Sequence, residues 1–246
     1  MKRYGLVGYP LGHSFSKDYF MKKFKREGIE AVYDNYPLKN LSGFRELPGL
    51  YPGLAGLNIT IPYKSGVIEH LDELDAKAAE AGAVNVVKIS SEGGDWFFKG
   101  YNTDIDGFVL SLLPLLGDRR EKALVLGTGG ASLAVQAGLE ELGMEYSVVS
   151  RHSEKATYTY SDITPDVLKA HRLIVNASPA GMYPDTDMAP GLPYHALDSN
   201  HILYDLVYNP EVTLFLKKGK DRGCITKNGM EMLYIQADKA WEIWNS

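Results

Sequence analysis

Residues 122–143 read KALVLGTGGASLAVQAGLEELG and decide how the second half of the chain folds. A short apolar run leads directly into a glycine-rich turn, Gly127 to Ser132, and the turn opens a helical pattern that ends at Gly143. This order of strand, turn and helix is the context that a dinucleotide-binding fingerprint requires. Gly127 permits the tight turn and Gly129 lets a pyrophosphate approach the backbone, while the small Ser132 stands where the general pattern has a third Gly or Ala. The alternative is a glycine turn that only lets the helix pack on the sheet.

The next predicted strand, YSVVS at 146–150, ends without the carboxylate that NAD-binding units normally carry for the ribose 2′-hydroxyl. Arg151 and His152 follow Ser150 instead. A guanidinium can bind the 2′-phosphate of NADP with two hydrogen bonds, whereas a carboxylate would repel it. The sequence therefore predicts NADP as cofactor, and the alternative for Arg151 is a solvated loop charge.

The segments after this unit repeat the order of strand and helix. Near-continuous apolar strands are predicted at 173–178 and 201–208, and a helix over 212–223 is expected to have Asn209 as its N-cap. Strands of this kind lie in a parallel sheet that helices cover on both faces. We predict an α/β protein whose C-terminal domain is a Rossmann-type doubly wound parallel sheet.

The first hundred residues also alternate between strands and helices and predict an N-terminal α/β substrate domain. Helices are expected over 16–27 and 65–81, and Gly93-Gly94 predicts a hairpin turn.

We place the domain boundary near residue 103. This gives a substrate-binding and catalytic domain over 1–103 and an NADP-binding domain over 104–229. Periodicity alone does not decide whether the final helix, 230–246, packs back on the first domain.

The composition is that of an ordinary globular protein, with 45% hydrophobic and 23% charged residues. A net charge of -5 argues against nucleic acid as a partner. The single cysteine, Cys224, rules out an intrachain disulfide and suits a reducing cytoplasm. No stretch approaches the ~20 apolar residues of a membrane span, so we expect a cytoplasmic protein without membrane contact. The histidines show no ligand spacing, and no metal site is predicted.

Polar residues of the first domain lie where elements begin or end. Ser14 and Ser16 flank the start of the first helix, where Ser16 could act as the N-cap or both hydroxyls could bind a carboxylate. Thr60 and Lys64 lie in NITIPYK, where a strand ends and the predicted helix 65–81 begins. The positive end of a helix dipole disfavours a lysine charge, and such a lysine can exchange protons near neutral pH. The alternative for Lys64 is an ordinary surface lysine.

Two further residues stand out near the domain boundary. Asn85 lies inside a predicted strand, an unusual position for an amide unless it forms hydrogen bonds. Asp104 opens the connecting helix. It could cap that helix, or it could line a cleft at the predicted domain junction.

At this point the sequence resembles the shikimate dehydrogenase family nearly from end to end. The resemblance rests on short blocks that occur together and in order: GxxxxHSxS (8–16), NITIPYK (58–64), GAVN (82–85), GYNTDxxG (100–107), GTGGAS (127–132), NASPAGM (176–182), YDLVYNP (204–210) and GMEMLYIQA (229–237). It implies reversible reduction of 3-dehydroshikimate to shikimate by NADPH, in aromatic amino-acid biosynthesis, by a monomer or homodimer.

The resemblance also implies a role for each matching residue. Lys64 would transfer the proton at the reacting oxygen, paired with Asp104. Substrate binding would fall to Ser14, Ser16, Thr60, Asn85, Asp104, Tyr208 and Gln236. Cofactor binding would fall to Gly127, Gly129, Gly130, Ala131, Ser150, Arg151, Met182 and Gly229. The family often has Asn-Arg-Thr where this chain has Ser150-Arg151-His152.

Two competing functions remain. An NAD-linked quinate/shikimate dehydrogenase would share the fold, although the missing acid after YSVVS disfavours NAD. A non-catalytic NADP-binding regulator would need the glycine turn but neither Lys64 nor Asp104.

Overall fold

The computed structural model describes residues 1–12, 15–118, 120–152, 154 and 156–246. The chain divides into two compact units, Met1–Thr103 with Ala237–Ser246, and Asp104–Gln236. Within the described residues, no helix has the length and apolar character needed to cross a membrane.

The first unit is built on a mixed sheet that has six strands among the described residues. Its strands are β1 (Lys2–Gly8), β2 (Ala31–Pro37), β3 (Leu54–Ile59), β4 (Glu73–Leu74), β5 (Val86–Glu92) and β6 (Asp95–Tyr101). Their order is β2-β1-β3-β5-β6-β4, with β1 parallel to β2 and β3, and β5 antiparallel to β3 and β6. Gly93 and Gly94 join β5 to β6 with φ of 64° and 101°, so the predicted hairpin turn is confirmed.

The helices of the first unit are α1 (Phe15–Glu27), α2 (Leu47–Leu50) and α3 (Ala76–Ala81). The predicted helix over 65–81 is wrong, because a 3₁₀ helix, Gly66–His70, is followed by β4 and only then by α3. β4 pairs with β6, and the Asp75 side chain accepts from the Ala78 N–H to begin α3. Strand pairing and this new N-cap interrupt an apolar spacing that would also suit one continuous helix.

The end of the final helix, α8 (Met230–Asn245), belongs to the first unit's core. The Trp244 ring stacks on Tyr4 with centroids 4.8 Å apart, and its Nε1 donates to the Val87 carbonyl at 3.0 Å. A Cβ on Gly56 would lie 2.3 Å from that Nε1, so the sheet must carry glycine there. Helix α8 therefore covers one face of the first unit's sheet.

The second unit has a fully parallel sheet. Its described strands are β7 (Ala123–Leu126), β8 (Tyr146–Ser150), β9 (Tyr158–Thr159), β10 (Leu173–Asn176), β11 (Ile202–Asp205) and β12 (Ile225–Lys227). Its helices are α4 (Thr103–Leu116), α5 (Gly130–Glu141), α6 (Pro165–Ala170) and α7 (Leu214–Lys220), together with the start of α8.

The strand order of this sheet is β12-β11-β10-β7-β8-β9. Numbered from β7 as the first strand, the order is that of the doubly wound dinucleotide-binding fold, and it reverses between β7 and β10. All residues of β7, β10 and β11 are buried, as expected for strands with helices on both faces. The predicted fold class is confirmed.

One predicted cap in this unit is wrong. Helix α7 begins after Thr213, whose hydroxyl accepts from the Leu216 N–H, and not after Asn209. Residues 209–212 form a bend instead.

Candidate active site

The glycine turn after β7 has the backbone that a phosphate-binding loop needs. Gly127 has a φ of 115°, and a Cβ there would lie 3.0 Å from the Ala177 carbonyl oxygen. The Ser132 hydroxyl donates to the Gly127 carbonyl at 2.7 Å, so the buried Ser132 closes the turn from inside the helix. A side chain other than hydrogen at position 127 would strain this loop.

The N-terminus of α5 fits a pyrophosphate. Gly129 is the N-cap with an extended backbone, and a Cβ built on it meets no described atom within 4 Å. Gly130 and Ala131 follow in the first turn, where N–H groups lack intrahelical partners and the helix dipole is positive. The backbone is thus approachable by an anion at the switch point of the sheet.

The residues predicted for the 2′-phosphate follow β8 directly. Ser150 ends the strand and is partly buried, while Arg151 and His152 are exposed. The His152 N–H donates to the Ser150 hydroxyl at 3.4 Å. Burial raises the pKa of Tyr160, and the nearby positive charge of Arg151 acts against that rise. The guanidinium therefore lies at the carboxyl end of β8, near a half-buried phenol.

Three other predicted residues lie on loops of the second unit. Met182 is 46% exposed, and its N–H donates to the Pro179 carbonyl at 3.1 Å. Gly229 lies so close to the Leu206 carbonyl that a Cβ would be 2.1 Å from its oxygen. Burial raises the pKa of Tyr208.

Asp205, which the sequence reasoning did not single out, joins these loops. Its buried carboxylate accepts from the Asn176 Nδ2 at 2.9 Å, the Val207 N–H at 3.0 Å and the Thr213 hydroxyl at 2.5 Å. Asn176 in turn donates to the Ala180 carbonyl at 3.2 Å. Burial raises the pKa of Asp205 to about 6, against the opposing effect of the three hydrogen bonds.

In the first unit, Lys64 follows the end of β3 and Asn85 precedes the start of β5, so both lie at the same end of these two neighbouring strands. The Val84 N–H donates to the Lys64 carbonyl at 2.7 Å, one residue from Asn85. Thr60 follows β3 directly, and its carbonyl accepts from the Tyr63 N–H at 2.9 Å to form the turn that leads to Lys64. Lys64 is half-buried. The α-helix whose dipole was expected to act on Lys64 is absent from this described segment, where a 3₁₀ helix follows instead. The proposal that Lys64 is catalytic therefore rests on its position next to Val84 and Asn85.

The prediction that Asn85 lies inside a strand is wrong, because β5 begins at Val86 and Asn85 precedes it, where its side-chain amide is paired with Thr103. Its Oδ1 accepts from the Thr103 N–H at 2.8 Å, and its Nδ2 donates to the Thr103 hydroxyl at 3.0 Å. Asn85 therefore fixes the residue that begins α4, and Asp104 follows it, 7% exposed. Gln236, also 7% exposed, lies in α8, where its Nε2 donates to the Leu233 carbonyl at 2.9 Å.

The predictions for Ser14 and Ser16 concern the start of the first helix. Ser14 lies outside the described residues. Helix α1 begins at Phe15, so Ser16 is its second residue and the expectation that Ser16 is the N-cap is wrong. Ser16 is half-buried, and its hydroxyl acts against the rise that burial causes in the pKa of Tyr33.

Tyr33 and Asn58 are buried polar residues that the sequence reasoning did not assign. The Tyr33 hydroxyl donates to the Asn58 Oδ1 at 2.7 Å, and the Asn58 Nδ2 donates to the Asn85 carbonyl at 3.4 Å. In the sequence, the only sign of these two residues is that each carries a polar group within a predicted strand.

Three comparisons with known proteins show which family the chain is similar to. Residues 6–87 match the family model described as the shikimate dehydrogenase substrate binding domain. The chain is 35% identical over 261 residues to the shikimate dehydrogenase (NADP(+)) of Shouchella clausii, covering 99% of this chain and 92% of that protein.

Solved structures with the same fold include two with different bound cofactors. Shikimate 5-dehydrogenase from Thermus thermophilus, in complex with NADP(H) and shikimate, has a TM-score of 0.85 and 31% identity, covering 99% of this chain and 93% of that one. Quinate dehydrogenase from Corynebacterium glutamicum, in complex with NAD, has a TM-score of 0.86 and 29% identity over the same shares of the two chains.

Proposed function

The chain belongs to the shikimate dehydrogenase family, and from that membership we propose that it catalyses the reversible, NADP-dependent reduction of 3-dehydroshikimate to shikimate. This is an oxidoreductase reaction of aromatic amino-acid biosynthesis. The observation that carries the proposal is the backbone hydrogen bond from the Val84 N–H to the Lys64 carbonyl, which holds the half-buried residue Lys64 next to the segment that contains Asn85. A protein that only binds NADP would not need such a polar edge. The expected cytoplasmic location stays a prediction.

The second unit has the residues to hold NADP. The N–H groups of Gly129, Gly130 and Ala131 would receive the pyrophosphate, and Ser150 and Arg151 the 2′-phosphate. Met182 and Gly229 would lie beside the nicotinamide, which supplies or accepts the hydride when NADP is bound. The tight approach of Gly229 to the Leu206 carbonyl supports a closely defined loop there.

A second set of residues would bind the substrate and handle its proton. We assign the carboxylate to Ser14 and Ser16, and the ring hydroxyls to Thr60, Asn85, Asp104, Tyr208 and Gln236. In the reducing direction, the Lys64 ammonium would donate a hydrogen bond, and then its proton, to the carbonyl oxygen as the carbon gains the hydride. Lys64 would regain a proton from water, and Asp104 would favour its charged form.

The choice between NADP and NAD rests on the end of β8. Arg151 follows the strand where an NAD-binding unit has an acid, and the residue is exposed. The alternative is an NAD-linked quinate/shikimate dehydrogenase, and the similarity to a quinate dehydrogenase in complex with NAD makes it worth testing.

One spectrophotometric panel tests the proposal. Shikimate and quinate are each oxidised with NADP and with NAD, and absorbance at about 340 nm follows the reduced nicotinamide. We expect the highest kcat/KM for shikimate with NADP. Faster turnover of quinate with NAD would favour the alternative, and no turnover in any arm would refute the assignment.

A further inference from the structure

We propose that Tyr33 is a positioning residue for the substrate site, acting through the Asn58 amide on Asn85. The inference rests on the proposed function, because it concerns how the proposed substrate-binding residues are held. Tyr33 itself is fully buried, so it acts through its neighbours and not by touching substrate.

The geometry extends across three strands. Tyr33 lies on β2 and Asn58 on β3, with β1 between them, and the Tyr33 side chain spans β1 to reach Asn58. The hydrogen bond between them is 2.7 Å long and joins residues that are 25 positions apart. Asn58 then donates to the Asn85 carbonyl at 3.4 Å, and Asn58 is only 5% exposed.

The chemistry of an amide explains why this hydroxyl matters. The oxygen and nitrogen ends of Asn58 have nearly the same shape, so sterics alone do not choose its orientation. A phenol that donates holds the oxygen end toward Tyr33 and leaves the NH₂ end facing Asn85. The Asn85 carbonyl also accepts from the Ile59 N–H at 2.8 Å, so two donors fix its peptide group. The side chain of Asn85 is thereby held where it forms hydrogen bonds with the N–H and the hydroxyl of Thr103.

The Tyr33 hydroxyl stays protonated and able to donate. Burial raises the pKa of Tyr33 well above its usual value, and the nearby Ser16 hydroxyl acts against that rise. The phenol therefore keeps its proton near neutral pH, and its hydrogen bond to Asn58 persists.

Tyr33→Phe tests this role by removing one oxygen atom. The ring and its stacking on Phe20, with centroids 4.8 Å apart, are retained. Tyr4→Phe is the matched control, because Tyr4 is fully buried in the same core cluster and its hydroxyl has no hydrogen-bond partner among the described residues. Both variants and the wild type are compared by thermal melting and by steady-state kinetics with shikimate and NADP.

We expect Tyr33→Phe to raise the KM for shikimate roughly five- to thirtyfold, the range for leaving a buried polar group unpaired. The KM for NADP should stay within about twofold, and Tyr4→Phe should resemble the wild type in both constants. In an Asn85→Ala background, Tyr33→Phe should add much less to the KM for shikimate than it does alone.

The outcomes separate this inference from the proposed function. Absence of NADP-linked shikimate oxidation in the wild type would refute the function itself. An active wild type with a Tyr33→Phe variant that matches Tyr4→Phe, or that weakens NADP and shikimate equally, would refute the positioning role. Should Tyr33→Phe fail to fold, Asn58→Ala breaks the same link, and an unchanged KM for shikimate in that variant would also refute it.

Discussion

Replacing Asp205 with Asn should remove a pH dependence from the stability of the second unit. The carboxylate is fully buried and accepts hydrogen bonds from Asn176, Val207 and Thr213, yet burial raises its pKa to about 6. In the unfolded chain an aspartate has a pKa of about 3.9. Because the folded state holds the proton more tightly, the stabilising contribution is fully present at low pH and is lost as the pH rises through about 6.

The size of this effect follows from the shift. Two pKa units correspond to about 3 kcal/mol between the fully protonated and fully ionised limits. Over the window from about pH 5 to about pH 8, the same linkage relation gives a loss of about 1.4 kcal/mol. The free energy of unfolding of the wild type should therefore fall by that amount relative to Asp205→Asn. The Asn side chain cannot ionise, so the variant keeps only the pH dependence of the other groups.

Urea denaturation at several pH values, followed by circular dichroism, measures the difference. Fluorescence would be a poor probe of Asp205, since Trp96, Trp241 and Trp244 all belong to the first unit. Asp198→Asn serves as control, because Asp198 is half-exposed and its pKa is lowered by the Asn200 N–H and by His201.

The sign of the pH trend decides the outcome. A lowered pKa contributes stability that is present at neutral pH and lost only in acid. The Asp198→Asn variant retains Asp205, so the stability of the wild type relative to this control should show no fall between about pH 5 and about pH 8. A wild-type stability that stays constant or rises relative to Asp205→Asn over this window would mean that the three hydrogen bonds outweigh burial. The carboxylate would then be ionised throughout, and the reasoning would be wrong.

Three further predictions concern proton transfer, NADP binding and the close packing of Gly229. Lys64→Ala should lower kcat by about 10²-fold or more with little change in KM, as expected for a lost proton donor; a raised KM with kcat intact would make Lys64 a binding residue. Arg151→Ala should weaken NADP about tenfold or more while NAD is unaffected, since charged hydrogen bonds are lost; an unchanged ratio of the two KM values would contradict the assignment. Gly229→Ala should destabilise the protein by about 1–3 kcal/mol, because its Cβ would meet the Leu206 carbonyl. Gly191→Ala, where a Cβ meets no described atom within 4 Å, is the control in thermal melts, and equal melting temperatures would refute the steric argument.

The Rossmann-type half of the fold was predictable because its signals are local. The apolar strand β7, the glycine turn and α5 are contiguous in sequence, and each specifies its own backbone. The positive φ of Gly127 and the small side chain of Ser132 are both requirements of that one turn. The parallel order of the remaining strands then follows from the repeated alternation of strand and helix.

The errors arose where tertiary pairing overrode local pattern. The segment 65–81 has a helical apolar spacing, but the short strand Glu73–Leu74 pairs with β6 and divides it. Arg45 reinforces that division, because it donates to the His70 carbonyl at 2.9 Å and to Asp72 at 3.0 Å. Neither partner is near Arg45 in sequence, so no local rule could have included it.

The polar networks that hold the proposed site together are hidden from the sequence for the same reason. Asn85 was flagged because an amide is unusual inside a strand, yet its partner Thr103 lies 18 residues away. Tyr33 lies on β2 and Asn58 on β3, and only their 2.7 Å hydrogen bond across β1 distinguishes a buried polar pair from ordinary strand residues. Burying such groups is favourable only when each finds its partner, so the fold that supplies the partners also fixes the orientation of the amides. Motifs can therefore indicate which residues meet a ligand, whereas the residues that orient them emerge only from the long-range contacts of the folded chain.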